Sequence, residues 1–282
     1  MPTHLHGRNQ HDRDQEPERT FVLTLDGQQW EVNISQQELE TVHLPLLRAM
    51  AQQAAAQAGR YVVFLAGPPG SGKTSLGALW ETLARQFDRN ISVQTLPMDG
   101  FHYPNTILDA RTIVRNGETI PLQKVKGSPE SFDLDRIISA LRDLHAGREF
   151  AWPRYDRQLH DVVTDAIPVN STGIVIVEGN YLLLDEPRWR TLKPLAALRI
   201  FVECEEALVR ERLLARMLRG GRTPEAAVRH YEFNDRPNYY RIMQHRLESD
   251  VVLQADKEHI WLKHPVSSGI ALSLIPEDSQ QS

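Results

Sequence analysis

The apolar positions of this chain fall into two patterns. Phe21 to Leu25 and Gln28 to Ile34 alternate apolar with polar around Asp26-Gly27, which predicts a hairpin. Tyr61 to Ala66, Ile174 to Val177 and Leu198 to Val202 are instead continuous, β-branched runs, as in strands buried on both faces. Ile91 to Met98 reads as a further strand, and Val251 to Leu253 and Ile260 to Leu262 as edge strands. Between them lie helical spacings over Lys73 to about Phe87, Leu134 to Leu144 with Asp133 as cap, Glu205 to Leu218 up to the Gly220-Gly221 break, Pro224 to Phe233, and Pro237 to Leu247. Ser35 and Glu38 form a capping box before a helical pattern to about Gly59, interrupted at Pro45. Two stretches have no period: Asp99 to Pro129, too long for an idle connection, and Phe150 to Pro168, polar and aromatic. No internal repeat is found. Strands alternating with helices predict an α/β fold, a mainly parallel sheet with helices on both faces.

A chain of 282 residues accommodates one large α/β domain with a small appendage. The patterns divide it into a disordered lead-in (1–20), a hairpin–helix appendage (21–59), a core domain (60–265) and a polar tail (266–282). A lid, a brace or a contact between two copies in a homodimer all suit the appendage. Net charge is −5, with 32 basic and 37 acidic residues, which argues against a duplex nucleic-acid partner. Cys204 is the one cysteine, so no intramolecular disulfide forms, and its apolar surroundings suit a packed core thiol. That cysteine usage fits the reducing cytoplasm. No apolar run approaches the ~18 to 20 residues that cross a bilayer, so no membrane partner is expected.

Chemistry enters at Gly67 to Thr74, GPPGSGKT, directly after the first apolar run. This is the G-x-x-x-x-G-K-[ST] phosphate loop between a strand and a helix, and it makes the α/β core a P-loop NTPase of three α/β/α layers. Gly67, Pro68, Pro69, Gly70, Ser71, Gly72, Lys73, Thr74 and Ser75 would surround the phosphates of ATP. The glycines free backbone N–H groups to face phosphate oxygens, Lys73 reaches the β/γ-phosphates, and Thr74 can hold Mg²⁺. The metal needs an acidic neighbour at a strand end. Glu178, straight after Ile174 to Val177, is the better candidate; Asp185-Glu186 after Leu182 to Leu184 imitates a transporter-type motif, but the LSGGQ-like signature that motif requires is absent. Asp185 then reads as a cap for a helical turn over Pro187 to Leu192.

Asp99, in PMDGFH at the end of the second core strand, lies where open α/β sheets bind ligands. It could take a proton from a substrate hydroxyl or merely cap a turn against Gly100. Trp152 to Asp161 gathers rings, donors and acceptors that suit a small polar substrate. Arg216, Arg219 and Arg222 flank the Gly220-Gly221 break, as in a closing lid that brings positive charge to a transferring phosphoryl group. A solvated face paired with Glu205, Glu206 and Glu211 is the plainer alternative.

Together the phosphate loop, PMDGFHYPN (Pro97 to Asn105), KGSPESFD (Lys126 to Asp133), PRYDRQLH (Pro153 to His160) and VIVEGNYLLL (Val175 to Leu184) resemble the uridine kinase, pantothenate kinase and phosphoribulokinase superfamily, and within it the bacterial YggC-type kinases. The resemblance runs from about residue 20 to 255. It implies phosphoryl transfer from ATP, with Mg²⁺, to a hydroxyl of a small metabolite. It makes Asp99 the base, places His102, Tyr155, Arg157 and His160 at the acceptor, and puts Arg216 and Arg219 in the lid. Lys73 and Thr74 would serve phosphate and metal, with Glu178 near the metal. Two positions depart from uridine kinases: Gly100 and Arg157 stand where those carry aromatics. Arg157 suggests a more polar or anionic acceptor than a pyrimidine nucleoside. The rival readings are a regulatory or assembly ATPase or GTPase without a small-molecule acceptor, and a nucleic-acid-dependent ATPase, which the acidic charge disfavours.

Overall fold

The computed structural model describes residues 17–25, 27–115 and 117–264. Strand β1 (Glu18–Leu25) pairs antiparallel with β2 (Gln28–Ser35). Phe21 and Leu23 are buried while Val22 and Thr24 face outward, as the alternation requires. The lead-in therefore ends before residue 20, because Glu18 to Thr20 already pair with Asn33 to Ser35. Residues 1–16, Asp26 of the hairpin turn and the polar tail 266–282 lie outside the described residues.

Ser35 caps α1 (Gln36–Glu38), its Oγ accepting from the Glu38 N–H at 3.1 Å. The return half of the expected capping box is not made, since the Glu38 carboxylate turns inward to His43. A π turn (Leu39–His43) then leads into α2 (Leu44–Ala55). Pro45 does not interrupt this passage as expected: the wide turn before it makes room for the ring and needs no N–H from the proline.

Strand β3 (Arg60–Ala66) feeds the phosphate loop and α3 (Lys73–Phe87), and β4 (Val93–Pro97) follows. The long stretch after β4 holds α4 (Asn105–Ala110) and a hairpin of β5 (Thr112–Arg115) and β6 (Glu118–Pro121). Helix α5 (Leu134–His145) is capped by Asp133, which accepts from the Arg136 N–H at 3.1 Å. Phe150 to Pro168 is not irregular, as expected, but a hairpin of β7 (Ala151–Asp156) and β8 (Asp161–Pro168). A register shift between Trp152 and Arg154, at Pro153, breaks the alternation that would have announced it.

The chain continues through β9 (Gly173–Gly179), β10 (Leu198–Cys204), α6 (Glu206–Arg219) and α7 (Pro224–His230). A second π turn (Tyr231–Asp235) precedes α8 (Arg236–Gln244), again just before a proline, Pro237, so these two predicted helices run on without a break. Strands β11 (Val251–Ala255) and β12 (Ile260–His264) end the described chain. Asp185 does not cap the turn after it; its carboxylate pairs with Arg190 at 3.1 Å.

Six strands form one sheet in the order β12-β11-β10-β3-β9-β4, parallel except for β11–β12. β11, expected at an edge, is thus internal, and β12 is the edge. Alternate residues of β3 serve opposite layers. Tyr61, Val63 and Leu65 join α3, α2 and the N-terminal hairpin in one core, while Val62, Phe64 and Ala66 join α5 in the other. This is a three-layer α/β/α arrangement. Arg60, almost fully buried at the start of β3, locks α5 to it: its guanidinium donates to the carbonyls of Asn170 (2.6 Å), Leu144 (3.1 Å) and Arg148 (2.8 Å).

Candidate active site

The parallel strands β3, β9 and β4 end side by side: the phosphate loop leaves β3, Glu178 is the penultimate residue of β9, and Asp99 lies in the turn after β4. In the loop, Gly70 (φ +77°) and Gly72 (φ +99°) occupy the left-handed region, which turns successive N–H groups toward one hollow. Gly67 is required for another reason: a Cβ there would stand 2.6 Å from the carbonyl oxygen of Val202 on β10. The sheet and the loop are therefore in direct contact.

Lys73 opens α3 with its ammonium folded back, donating to the carbonyls of Gly67 (2.9 Å) and Pro68 (2.8 Å). Burial pushes its pKa down to about 8, against the opposing pull of Glu178 and Asp99. Thr74 Oγ1 donates to Glu178 Oε1 at 2.9 Å. Burial raises the Glu178 pKa, the Lys73 charge offsetting part of the rise. A hydroxyl and a carboxylate oxygen are hard donors, and two of them suffice for Mg²⁺, which keeps waters and takes substrate phosphates as further ligands. Among the described residues no cluster of three or more His, Cys, Asp or Glu could hold a metal alone.

Asp99 is half-buried in a 3₁₀ turn (Met98–Phe101) at the end of β4. Its carbonyl accepts from His102 Nδ1 at 2.8 Å, and its charge acts on Lys73, Glu178, Arg216, His102 and Tyr155. One carboxylate is thus electrostatically coupled both to the lysine of the phosphate loop and to the Tyr155–His102 pair. Gly100 beside it packs on β7, where an ideal Cβ would lie 2.1 Å from the Pro153 carbonyl oxygen. Trp152 on the same strand donates its N–H to the Pro97 carbonyl at 2.8 Å and packs edge-on to Phe101. The β7–β8 hairpin is in this way pinned to the Asp99 turn.

His102 is buried between the rings of Phe132 (3.9 Å between centroids) and Tyr155 (5.5 Å), and burial lowers its pKa despite Asp99. Burial raises that of Tyr155, with Asp99 adding to it. Arg216 keeps solvent access, yet crowding by the protein and then by Arg157 lowers its pKa. Arg157 also acts on Glu178 and Tyr155, so it reaches the same space from the hairpin tip. Arg219 acts on Arg216 from the exposed end of α6.

Lys73, Thr74, Glu178, Asp99, His102, Tyr155, Arg157 and Arg216 are therefore brought together. His160, expected at the acceptor, is exposed at the hairpin tip, with φ +51°, and its carbonyl accepts from Lys126 Nζ (2.7 Å) and Asn105 Nδ2 (3.0 Å). The sequence reading singled out neither Lys126 nor Asp161 as a site residue. Lys126 also meets Asn105 Oδ1 at 2.6 Å and lies 4.8 Å from the Tyr155 ring, while Asp161 accepts from the Asn105 N–H at 3.2 Å. Only their place inside the KGSPESFD and PRYDRQLHD segments hinted at them. A hollow of about 200 Å³ lies apart from this cleft, beside Arg115, Glu130, Asn238 and Arg241. There Arg241 is engaged by Glu130 and Glu186.

Sheet, loop and acidic strand end define a nucleotide-binding P-loop kinase fold. The chain belongs to the phosphoribulokinase / uridine kinase family, whose profile matches residues 62–259. It is 39% identical over 237 residues to the uncharacterized protein YggC of Escherichia coli, covering 84% of this chain and 95% of that one. A Schizosaccharomyces pombe protein described as a "Putative uridine kinase" is 33% identical over 203 residues, 69% of this chain and 83% of its own. The crystal structure of a "putative fructose transport system kinase" from Silicibacter sp. superposes with a TM-score of 0.64 at 31% identity, covering 74% of this chain and 98% of that one. No helix among the described residues is long and apolar enough to cross a membrane.

Proposed function

We propose that the protein transfers the γ-phosphoryl group of ATP to a hydroxyl of a small polar metabolite, with Asp99 as the base. The observation that carries this is the placement of Asp99, whose charge reaches both Lys73 beside the phosphate loop and Tyr155 and His102 on the hairpin side. A GTPase or ATPase acting on water alone has no use for a ring-bearing hairpin pinned beside that carboxylate. Names of relatives favour the same class: one is described as a "Putative uridine kinase" and several as "Pantothenate kinase".

In this reading the acceptor hydroxyl lies between Asp99 and the γ-phosphorus. Its proton passes to Asp99 as the new O–P bond forms and the bond to ADP breaks. Lys73 and Arg216 stabilise the charge on the transferring group, and the loop N–H groups hold the β-phosphate. Thr74 and Glu178 would hold Mg²⁺, which when bound neutralises β/γ-phosphate charge. Tyr155 and His102 orient the acceptor, and Arg157 favours one that is polar or anionic. The test is coupled ADP release with Mg-ATP over sugars, sugar acids, nucleosides and pantothenate. One acceptor should stimulate turnover strongly, and Asp99→Asn should cut it roughly 10²- to 10⁴-fold with Mg-ATP binding retained. Turnover that ignores every acceptor and survives the substitution would replace this reading with that of a regulatory ATPase.

A further inference from the structure

The N-terminal hairpin and α1–α2 contribute nothing directly to the cleft, yet a chain of polar contacts leads from them to the phosphate loop. Trp80 on α3 donates its indole N–H to His43 Nδ1 at 3.3 Å. His43, in the π turn, then donates from Nε2 to Glu38 Oε1 at 2.8 Å. The other oxygen of Glu38 accepts from His259 Nδ1, in the β11–β12 turn, at 3.2 Å. That turn is shaped by Asp256, whose carboxylate accepts from the N–H groups of Glu258 (2.8 Å) and His259 (2.7 Å). Arg212 of α6 closes the circuit, donating to the Asp256 carbonyl at 2.7 Å and to the Gly70 carbonyl of the phosphate loop at 3.3 Å.

Trp80 and His43 are fully buried and Glu38 is 6% exposed. A carboxylate and an imidazole at such depth are costly unless satisfied, and aliphatic side chains would fill the space at lower cost. Here every polar atom of the pair is engaged, and the contacts run on to Trp80 on the helix after the phosphate loop and, through His259, Asp256 and Arg212, to Gly70 within it. Arg212 thus ties the loop backbone to this network at the Gly70 carbonyl.

We infer that the N-terminal unit is a brace that sets affinity for the nucleotide phosphates, with Glu38–His259 as its joint and Arg212 as its point of contact with the loop. These are positioning residues, and the inference rests on the reading of the loop as an ATP site. The test is calorimetric titration of the full chain with a non-hydrolysable Mg-ATP analogue, well below the melting temperature. His259→Ala should weaken binding roughly 3- to 10-fold, and His259→Gln, which can still donate to Glu38, should restore it to within about twofold of wild type. Arg212→Ala should weaken it by a similar factor. The double variant should be no worse than the poorer single one, since both cut the same chain. Glu38→Gln, which keeps the shape, covers the case in which His259→Ala does not fold. Wild-type affinity in His259→Ala and Glu38→Gln, or no rescue by glutamine, would overturn the brace while leaving the ATP site intact. A wild-type chain that binds no Mg-nucleotide overturns the site and the brace together.

Discussion

Lys73 is a buried ammonium held by carbonyl oxygens, and that shapes its response to pH. Burial depresses its pKa to about 8. Phosphate oxygens favour the charged form, so above pH 8 nucleotide binding must take up a proton. Affinity for Mg-ATP should therefore fall as pH rises from 8 toward 10, with proton uptake at pH 9 revealed by titrations in buffers of different ionisation enthalpy. The folding linkage has the opposite sense: between pH 8 and the ordinary lysine value the unfolded chain holds more protons, so this group makes the empty protein more stable as pH rises there. Gly100 gives a steric prediction. Gly100→Ala must displace β7 from the Asp99 turn, costing about 1–3 kcal/mol in denaturant unfolding, and should abolish acceptor-stimulated turnover while Mg-nucleotide binding persists. The phosphate loop was legible because its chemistry is local, nine consecutive residues acting through their own backbone. Gly100 was visible as a departure but not as a contact, because its partner Pro153 is far along the chain. The carbonyl contact of His160 was not legible, because it depends on the backbone conformation at the hairpin tip and on Lys126, far along the chain.

Elements with regular periods were placed to within a few residues, since one buried face imposes one spacing. The β7–β8 hairpin escaped because Pro153 sits at a register shift, so that Trp152 and Pro153 are buried in succession instead of alternating. Helix α5 supplies the test at this scale. Its last carbonyls are held by Arg60, a planar fork that also holds Arg148 and Asn170. Arg60→Ala removes the guanidinium from the Arg148 and Asn170 carbonyls in a tight interface and should cost about 2–4 kcal/mol in urea unfolding. Arg60→Lys should recover little of it, because a single ammonium cannot span three acceptors so arranged.

The N-terminal hairpin, α2 and the central sheet share one continuous core in which Phe21, Leu23 and Leu46 meet Val63, Leu65 and Trp80. We expect chemical unfolding of the full chain to be a single transition, with far-ultraviolet dichroism and tryptophan fluorescence coincident. Removal of residues 1–59 should leave an insoluble chain rather than a smaller kinase. Alternation announced the hairpin, but which face of the sheet it would cover depends on long-range packing that no local pattern encodes. The two π turns, each followed by a proline at the second residue after it, have a consequence for counting along the chain. Such a turn holds one residue more than a regular one, which advances everything downstream by about 100° around the axis and ~1.5 Å along it. In α8, downstream of the second such turn, Arg241 meets Glu130 and Glu186. Proline and surplus residue are therefore a linked pair: a relative without Pro237 should be one residue shorter in this helix, and a chain that loses only one of the two should have its arginine out of phase.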